Sequence, residues 1–470
     1  MRSQNYAVLL AGGQGSRFWP QSRILEPKQF LSLHGESKNL FEETVKRTRA
    51  LISPANIFVV TLELYRSQIH EMILPFAIPP ENVIFEPEPK NTAPCIAAAI
   101  RLISSRAPDA KIAIFPCDHM IRNNGRLSKL LREAFNFAGD NLIIFGIPPA
   151  RPATGYGYIK IKSKAGDKKC AGHIFKVEKF IEKPDIKRAK EIFKDGRYFW
   201  NSGIFLGSSR IFLEEIRKYL PQLDRQLIRA KRPQDLKEAW SRIKPISFDY
   251  GVLEKSKRIL MIKADSLGWT DLGSWQAWDE MLAKDRDGNS FIGDTVNLHS
   301  RNITVLGNSR LVSTIGLEDL IIVDTPDALL VAKKDRSEEV KKVVEILKQN
   351  KRGEHYSHRT VRRPWGKYTV LEAAEGVKIK LVEVKPRRSL SLQMHKKRSE
   401  HWVVVEGRAK VIHGKKTYFV DSNESTFIPL SCVHRLINPS DSVLKLVEVQ
   451  TGEYLGEDDI VRLKDDFGRD

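Results

Sequence analysis

The feature that most constrains the fold of this chain is a cluster of glycines that follows a short apolar stretch near the N terminus. Residues 7–10 are apolar and predict a buried strand. Gly12, Gly13 and Gly15 come directly after it, and Ser16 follows. Because glycines lack Cβ atoms and tolerate positive φ angles, successive backbone N–H groups can converge on a polyanion. The sequence therefore predicts that these four residues form a phosphate-binding loop.

Two cations follow the glycines. Arg17 offers a planar guanidinium for phosphate oxygens, and Lys28 adds a second charge at a position stiffened by Pro27. The spacing differs from two common nucleotide loops, because G-x-x-x-x-G-K-[ST] is absent and Phe18 stands where the last glycine of G-x-G-x-x-G belongs. We expect Arg17 and Lys28 to be catalytic residues that neutralise phosphate charge.

The first 150 residues alternate short apolar runs with segments of helical spacing, which predicts a parallel, doubly wound α/β sheet. Ligands bind such sheets at the carboxyl ends of the strands, where the glycine loop lies and where Asp118 follows a predicted strand. The predicted strands are 7–10, 57–60, 111–115 and 142–145, and the predicted helices include 41–50 and 97–103.

The motif around the glycines resembles the signature of one enzyme family. The string Gly-Gly-x-Gly-x-Arg-x-x-Pro ends at Pro20, and Pro-Lys-Gln-Phe-Leu begins at Pro27. Both are similar to sugar-1-phosphate nucleotidyltransferases, and Phe-Trp-Pro-x-Ser-Arg is similar to their mannose-1-phosphate guanylyltransferase branch. The resemblance implies a mixed, doubly wound sheet of the nucleotidyltransferase type. It also implies that GTP and mannose 1-phosphate react to give GDP-mannose and pyrophosphate; guanine and mannose come from the resemblance alone.

Nucleotidyl transfer aligns two anionic phosphates, so a divalent cation is expected at the site. Mg²⁺ prefers oxygen ligands and commonly takes only one or two from protein. Asp118, in Pro-x-Asp-His, and Asp271, in Trp-x-Asp-x-Gly-Ser-Trp, match the family's metal positions and are predicted to be catalytic Mg²⁺ ligands. The alternative is that Asp118 caps a turn and Asp271 caps a helix N terminus.

Four residues are assigned to the sugar phosphate by the resemblance. Lys183 is the expected partner of the phosphate, Glu182 and Asn201 are expected to bind sugar hydroxyls, and Gly157 marks a close backbone approach. Each lies in a turn beside glycine or proline, where side chains can reach a ligand. Considered singly, each would more ordinarily be a surface side chain or a turn glycine.

A chain of 470 residues is long enough for two or three domains. We predict a nucleotidyltransferase domain over residues 1–285, a β-rich connector with a linker helix over 286–354, and a C-terminal domain over 355–470. The linker helix is predicted over residues 338–349 and presents one apolar face, formed by Val340, Val343, Val344 and Leu347.

The C-terminal domain has short strand-like pieces, one of which alternates Val377, Ile379 and Leu381 with lysines, and these suggest an antiparallel barrel or jelly roll. Four of its residues form a candidate metal site, namely Gln393, His395, Glu400 and His434. The first two share one face of a strand, and the others could converge from adjacent strands. An amide, two imidazoles and a carboxylate suit a divalent transition metal such as Zn²⁺ or Co²⁺, and equally Mn²⁺ or Fe²⁺.

The pattern Gln-x-His-x-x-Arg-x-Glu-His-Trp, which begins at Gln393, resembles the cupin half of bifunctional type II phosphomannose isomerases. The resemblance covers nearly the full chain, including residues 454–460. It implies interconversion of fructose 6-phosphate and mannose 6-phosphate, with Arg398 as a catalytic residue that positions the phosphate or an enediolate. Lys396, Lys397, Ser431 and Ile437 depart from the family's pattern, so a catalytically silent cupin is the alternative.

The formal charge of +20, from 78 Lys and Arg against 58 Asp and Glu, makes nucleic-acid binding the competing function. We do not expect a nucleic-acid partner, because the basic residues are spread along the chain without a recognisable binding module. Cys95, Cys117, Cys170 and Cys432 are too scattered for a disulfide framework, which indicates a reducing cytoplasm. No apolar run approaches the ~18 residues of a spanning helix, so no membrane association is expected. A homo-oligomer is possible.

Overall fold

The computed structural model describes residues 5–13, 15–32, 38–164, 173–228 and 235–465. The chain divides into two compact units, Met1–His355 and Tyr356–Asp470. Among the described helices, none is long and apolar enough to cross a membrane. Cys170 lies outside the described residues, and the other three cysteines are free thiols.

The first unit contains a nine-stranded sheet with helices on both faces. Its strands and those of a small two-stranded ladder are β1 (Asn5–Leu10), β2 (Ile57–Leu62), β3 (Val83–Glu86), β4 (Lys111–Pro116), β5 (Met120–Ile121), β6 (Leu142–Ile147), β7 (Tyr158–Lys164), β8 (Ile174–Ile181), β9 (Tyr198–Ser208), β10 (Ile259–Lys263) and β11 (Trp269–Thr270).

The strand order of the main sheet is β3-β2-β1-β4-β9-β6-β10-β8-β7. Strands β1 to β4 pair in parallel, as the alternation predicted. Strand β9 is inserted antiparallel between β4 and β6, and β8 is antiparallel to β10. The parallel pairing predicted for the first 150 residues holds for β1 to β4, and the antiparallel strands come from later in the chain. The mixed, doubly wound nucleotidyltransferase-type sheet is therefore confirmed.

Neighbouring side chains of β1 point into two separate cores, which makes the sheet doubly wound. The helices are α1 (Leu40–Arg49), α2 (Arg66–Ile73), α3 (Thr92–Arg106), α4 (Asn124–Phe137), α5 (Ile186–Asp195), α6 (Ser209–Tyr219), α7 (Pro221–Leu227), α8 (Leu236–Trp240) and α9 (Trp275–Asp279). Ala7 and Leu9 pack with α1, α2 and α4, and Val8 packs on the other face with α3, α6, α7 and α8.

The β-rich stretch after the main sheet forms two parallel ladders, β12-β14-β16 and β13-β15, and therefore coils as a short parallel β-helix. It belongs to the first compact unit. The linker helix α10 follows a 3₁₀ turn and buries Val340 and Val344, whereas Val343, at the edge of the predicted face, is exposed. The elements are β12 (Ser290–Ile292), β13 (Thr295–Leu298), β14 (Thr304–Leu306), β15 (Val312–Ile315), β16 (Leu320–Asp324), β17 (Leu329–Lys333) and α10 (Val340–Gln349).

The second unit consists of two sheets, β18-β19-β20-β27-β22-β25 and β24-β23-β26-β21-β28, in which every pairing of named strands is antiparallel. The predicted cupin jelly roll is confirmed. Its strands are β18 (Thr360–Arg363), β19 (Gly366–Ala374), β20 (Val377–Val384), β21 (Leu392–His395), β22 (Arg398–Glu406), β23 (Arg408–His413), β24 (Lys416–Asp421), β25 (Ser425–Ile428), β26 (His434–Ile437), β27 (Leu444–Gly452) and β28 (Ile460–Lys464).

Candidate functional site

The glycine loop follows β1 and turns tightly against its neighbours. Gly15 has a φ of +60°, and a Cβ there would lie 2.6 Å from the Cβ of Lys28. A Cβ on Gly12 would lie 2.8 Å from Glu86 Oε2, whereas one on Gly13 would meet nothing within 4 Å. The loop therefore needs glycine at its closed side and is open at Gly13.

Ser16 and Arg17 lie in the 3₁₀ turn Ser16–Phe18, which begins directly after Gly15. Phe18 is buried and stacks on Trp275 with ring centroids 4.2 Å apart, which anchors the turn. The partly buried Arg17 makes no hydrogen bond or ion pair within the described part of the chain. Its guanidinium is therefore available to an anion at the loop.

Lys28 holds the two predicted metal-binding residues together. Its side chain is buried, and its Nζ lies 2.9 Å from Asp118 Oδ2. The same ammonium donates to the carbonyl oxygens of Asp271, at 2.6 Å, and Leu272, at 3.3 Å. The sequence predicted a cation for phosphate oxygens, and the structure adds that this cation ties Asp118 to the backbone at Asp271.

A short ladder explains how Asp118 and Asp271 meet. Strand β5 pairs antiparallel with β11, with Thr270 opposite Met120. Asp118 precedes β5 and Asp271 follows β11, so both residues lie at the same end of the ladder. Burial would raise the pKa of Asp118, but Lys28 and His119 outweigh it and hold the pKa below its usual value. Asp118 is therefore ionised at neutral pH.

Asp271 keeps one carboxylate oxygen free for a metal ion. Its Oδ1 accepts hydrogen bonds from Tyr156 Oη and the Gly273 N–H, both at 2.8 Å. Asp271 Oδ2 accepts no hydrogen bond from any residue that the structure describes. The side chain of the other carboxylate, Asp118, is 36% exposed. Burial and Asp271 raise the pKa of Tyr156, so its hydroxyl stays a donor. Two carboxylates with accessible oxygens fit Mg²⁺, whose ligation by these residues stays a prediction.

The four predicted sugar-phosphate residues lie together. The Asn201 N–H donates to the Gly157 carbonyl at 2.8 Å, and a Cβ on Gly157 would lie 2.5 Å from Glu182 Oε2. Lys183 Nζ is 3.1 Å from Glu182 Oε1, and its side chain is 52% exposed. The Lys183 N–H donates to the Tyr156 carbonyl, so Tyr156 connects this group to Asp271.

Asp249 is a further member of this group. Asn201 Nδ2 donates to Asp249 Oδ1 at 2.9 Å, and the Gly203 N–H donates to Asn201 Oδ1 at 3.1 Å, so both ends of the Asn201 amide are fixed. Burial and the nearby Glu182 raise the pKa of Asp249 to about 7. Asp249 begins a π-helical turn, a local geometry that is frequent at functional sites.

The second unit brings three of the four predicted metal ligands into one buried cluster. The ligand atoms of His395, Glu400 and His434 lie within 4.8 Å of one another. His395 Nε2 is 3.2 Å from Glu400 Oε1, and His434 Nε2 is 3.8 Å from Glu400 Oε2. These residues come from β21, β22 and β26, and β21 pairs with β26 at Gln393 and His434.

The chemistry of this cluster fits a divalent transition metal. His434 Nδ1 donates to the carbonyl of Cys432 at 2.9 Å, which leaves the lone pair on Nε2. Burial lowers the pKa of His434, so the ring is neutral, and its buried Nε2 has no hydrogen-bond partner among the described residues. Burial would raise the pKa of Glu400, but His395 and His434 outweigh it, so the carboxylate is ionised.

Gln393 and Arg398 flank the cluster. Gln393 Oε1 accepts a hydrogen bond from Ser391 Oγ at 2.8 Å, and its place as a fourth ligand stays a prediction. Arg398 is 2% exposed, and its Nε donates to Glu400 Oε1 at 3.1 Å. Its Nη1 donates to the Gly456 carbonyl at 2.9 Å. Arg398 thus links the cluster to the C-terminal segment.

A cleft opens beside the cluster and is lined by Gln393, Arg398 and Glu400. Most of its lining side chains are charged or polar, so the cleft suits a polar ligand. Sequence reasoning missed several charged or polar residues of the two sites. Tyr156, His119 and Glu457 lie inside motifs that the sequence shows, but the others carry no local signal; these are Glu86, Asp249, Lys380, Glu448 and Gln450.

A glycine loop at the end of β1 of a mixed sheet lies with two carboxylates, one after β4 of that sheet and one after β11 of the small ladder, which is the arrangement expected of a nucleotidyl transferase. Residues 6–288 match the family Nucleotidyl transferase. Residues 293–347 match the MannoseP isomerase/GMP-like beta-helix domain, and residues 350–465 match Mannose-6-phosphate isomerase C-terminal. The chain belongs to the bifunctional family that joins a mannose-1-phosphate guanylyltransferase to a mannose-6-phosphate isomerase domain, as the resemblance implied, and it is an enzyme.

Individual relatives match the sequence of this chain over nearly its full length. The chain is 41% identical to the alginate biosynthesis protein AlgA of Pseudomonas aeruginosa, over 98% of this chain and 97% of the relative. It is 38% identical to the mannose-1-phosphate guanylyltransferase of Escherichia coli, over 100% of this chain and 99% of the relative. A crystal structure from Thermus thermophilus, named mannose-1-phosphate geranyltransferase, covers 73% of this chain and 99% of its own, with 28% identity and a TM-score of 0.65.

Proposed function

We propose that the first unit makes GDP-mannose from mannose 1-phosphate and GTP with release of pyrophosphate, and that the second interconverts fructose 6-phosphate and mannose 6-phosphate. The observation that carries the first activity is the joining of Asp118 and Asp271 by Lys28 beside the glycine loop. The names of the relatives support guanine as the base and mannose as the sugar.

In the transfer reaction, Gly12, Gly13 and Gly15 bind the triphosphate through backbone N–H groups, with Arg17 and Lys28 neutralising its charge. The sugar-phosphate residues Gly157, Glu182, Lys183 and Asn201 hold mannose 1-phosphate so that a phosphate oxygen attacks the α-phosphorus in line and pyrophosphate leaves. A Mg²⁺ ion on Asp118 and Asp271 would supply further charge neutralisation.

The test is steady-state product formation with GTP, ATP, UTP and CTP in the presence and absence of Mg²⁺. We expect Mg²⁺-dependent formation of GDP-mannose with much weaker use of the other three nucleotides. Preference for UTP would refute the proposed substrate while leaving the reaction class intact, and no reaction with any nucleotide would refute the transferase.

The buried His395, Glu400 and His434 support the isomerase with Zn²⁺ or Co²⁺ as the metal. A silent cupin is the alternative, because Lys396, Lys397, Ser431 and Ile437 depart from the family pattern. None of these four residues lines the cleft, and the first three are exposed, which favours an active cupin. The test is elemental analysis together with a fructose 6-phosphate assay; a metal-replete protein without turnover would establish the silent cupin.

We place the enzyme in the cytoplasm as part of this proposal. Its substrates are made and used in metabolism, and the thiols of Cys95, Cys117 and Cys432 are free. Fractionation of cells that express the full chain tests this location, and recovery of the protein with an extracytoplasmic marker would refute it.

Whether the chain forms a homo-oligomer is to be measured by light scattering.

A further inference from the structure

One wall of the cleft in the second unit holds a group of charged side chains that the proposed function has not used. Lys380, Glu448 and Glu457 all line the cleft together with the cluster residue Glu400. Lys380 and Glu448 are 5% and 6% exposed. Charged side chains are rarely so buried unless they are paired, so this group requires an explanation.

Strand register places Glu448 between the cluster and Lys380. In the pairing of β20 with β27, Glu448 lies directly opposite Lys380. In the pairing of β22 with β27, Gln450 lies directly opposite Glu400. Gln450 Nε2 donates to Glu448 Oε1 at 2.7 Å and to Glu400 Oε1 at 3.1 Å. A single amide therefore separates the Glu448 carboxylate from a predicted metal ligand.

Three other titratable groups on the cleft wall, Lys380, Glu457 and Tyr368, are poor proton acceptors, and the arginines that line it, Arg363, Arg398 and Arg462, have no acceptor atom. Lys380 Nζ lies 2.8 Å from Glu457 and 3.7 Å from Glu448. Burial would lower the pKa of Lys380, but these two carboxylates outweigh it and raise the pKa, so the ammonium keeps its proton. Burial would raise the pKa of Glu457, but Lys380 outweighs it and brings the pKa to about 2. Burial raises the pKa of Tyr368, so its hydroxyl stays protonated.

Glu448 differs from these groups. Among the described residues it has one close hydrogen bond, from Gln450, and its ion pair with Lys380 is long. Burial and the Glu400 carboxylate raise the pKa of Glu448, with Lys380 and Arg398 opposing. A carboxylate whose pKa is raised accepts a proton more readily than an ordinary one.

We propose that Glu448 is the general base that carries the proton between the two carbons in the isomerisation. The proposal rests on the isomerase function given above. Glu448 takes the proton from C1 of fructose 6-phosphate, or from C2 of mannose 6-phosphate. The C–H electron pair becomes the C1–C2 double bond, and the carbonyl π pair moves to oxygen, which gives an enediolate. In the enediolate the hydroxyl proton passes from O1 to O2, or from O2 to O1 in the reverse direction. Glu448 then returns its proton to the other carbon as the new carbonyl forms, so no further reactant is consumed.

The test is Glu448→Gln in the full chain, with Glu448→Asp as the conservative variant and Glu453→Gln as the control. A glutamine keeps an oxygen for the Gln450 bond, and Lys380 keeps Glu457, so we expect the variant to fold. The control removes an exposed carboxylate that lies just after the same strand. The measurements are elemental analysis of bound metal, fructose 6-phosphate affinity by titration calorimetry, and kcat and KM against pH.

We expect Glu448→Gln to keep its metal and bind fructose 6-phosphate within about 3-fold of wild type while kcat falls by about 10²- to 10⁴-fold. Glu448→Asp should recover part of the wild-type kcat. The acidic limb of its kcat against pH should be displaced from that of the wild type. Wild-type kcat in Glu448→Gln, or loss of its metal or substrate affinity, would overturn the role of Glu448 alone. A metal-replete wild type without isomerase activity would overturn the isomerase itself and the base with it.

Discussion

Replacement of Asp271 by asparagine is a nearly isosteric test of the transferase site, because the structure separates the structural and electrostatic roles of this residue. Tyr156 Oη and the Gly273 N–H both donate to Oδ1, which an asparagine oxygen can replace. Lys28 binds the backbone carbonyl of residue 271, which the substitution leaves in place. Asp271→Asn therefore removes one negative charge and little packing.

The cost in stability follows from those two hydrogen bonds. A bond to a charged acceptor contributes about 1 kcal/mol more than one to a neutral acceptor, so two such bonds give a loss of about 2 kcal/mol at most. In a unit of this size that corresponds to a fall in Tm of only a few degrees. Loss of a charge that acts on the transition state instead costs about 3–4 kcal/mol of barrier, or about 10²- to 10³-fold in rate.

The assay is GDP-mannose formation at saturating GTP and mannose 1-phosphate over a range of Mg²⁺ concentrations. The exposed Asp109→Asn is the matched control, and fructose 6-phosphate isomerisation by the same preparation checks the second unit. We expect transfer to fall about 10²- to 10³-fold with isomerase activity unchanged. Transfer within 3-fold of wild type in a folded Asp271→Asn protein would refute the assignment of Asp271, and equal loss of both activities would refute two independent sites.

Three further results are expected. Arg17→Ala should lower GDP-mannose formation by orders of magnitude with little change in Tm, because Arg17 has no described partner to lose; an unchanged rate would contradict its role. His434→Ala should lower metal content, measured by elemental analysis, and isomerase activity while transfer persists; full metal content would refute the site. Glu86→Gln should raise stability only at higher pH. The folded-state pKa of Glu86 is raised to about 7, mainly by burial, so ionisation costs folding free energy as the pH rises above about 4.5. The gain should reach about 3 kcal/mol above pH 7 and vanish near pH 4 in urea unfolding; a pH-independent difference would contradict the burial of this carboxyl.

Most candidate residues of the first-unit site could be picked out from the sequence, because they lie in short motifs beside glycine or proline. The glycine loop, Asp118 and Asp271 are each recognisable locally, and the structure brings the two carboxylates together through β5 and β11. The sequence could not predict that Lys28 pairs with Asp118, because that contact depends on the tertiary fold. Asp249 could not be recognised as a site residue from the sequence for the same reason, because its partner Asn201 lies on another element.

In the second unit, the alternation of β20 is misleading about which face is buried. Val377, Ile379 and Leu381 alternate with lysines, a pattern that ordinarily places the lysines in water. The structure instead buries Lys380 with Val382 and Val384, and Ile379 and Leu381 are only partly buried. Alternation identifies two faces but assigns them by assuming an apolar interior, and here part of the interior is a polar cleft.

Strand β27 also carries both apolar and polar buried residues on one face. The polar ones bear on the energetics of folding. Its buried residues are Leu444 and Leu446 at one end, and Glu448 and Gln450 at the other. Desolvating an ion pair costs about as much as the pair returns, and apolar replacements of such pairs are often neutral or stabilising. Folding stability therefore does not account for Lys380 opposite Glu448. The polar half of the face coincides with the cleft beside Glu400, and we infer that chemistry at this cleft is what maintains it.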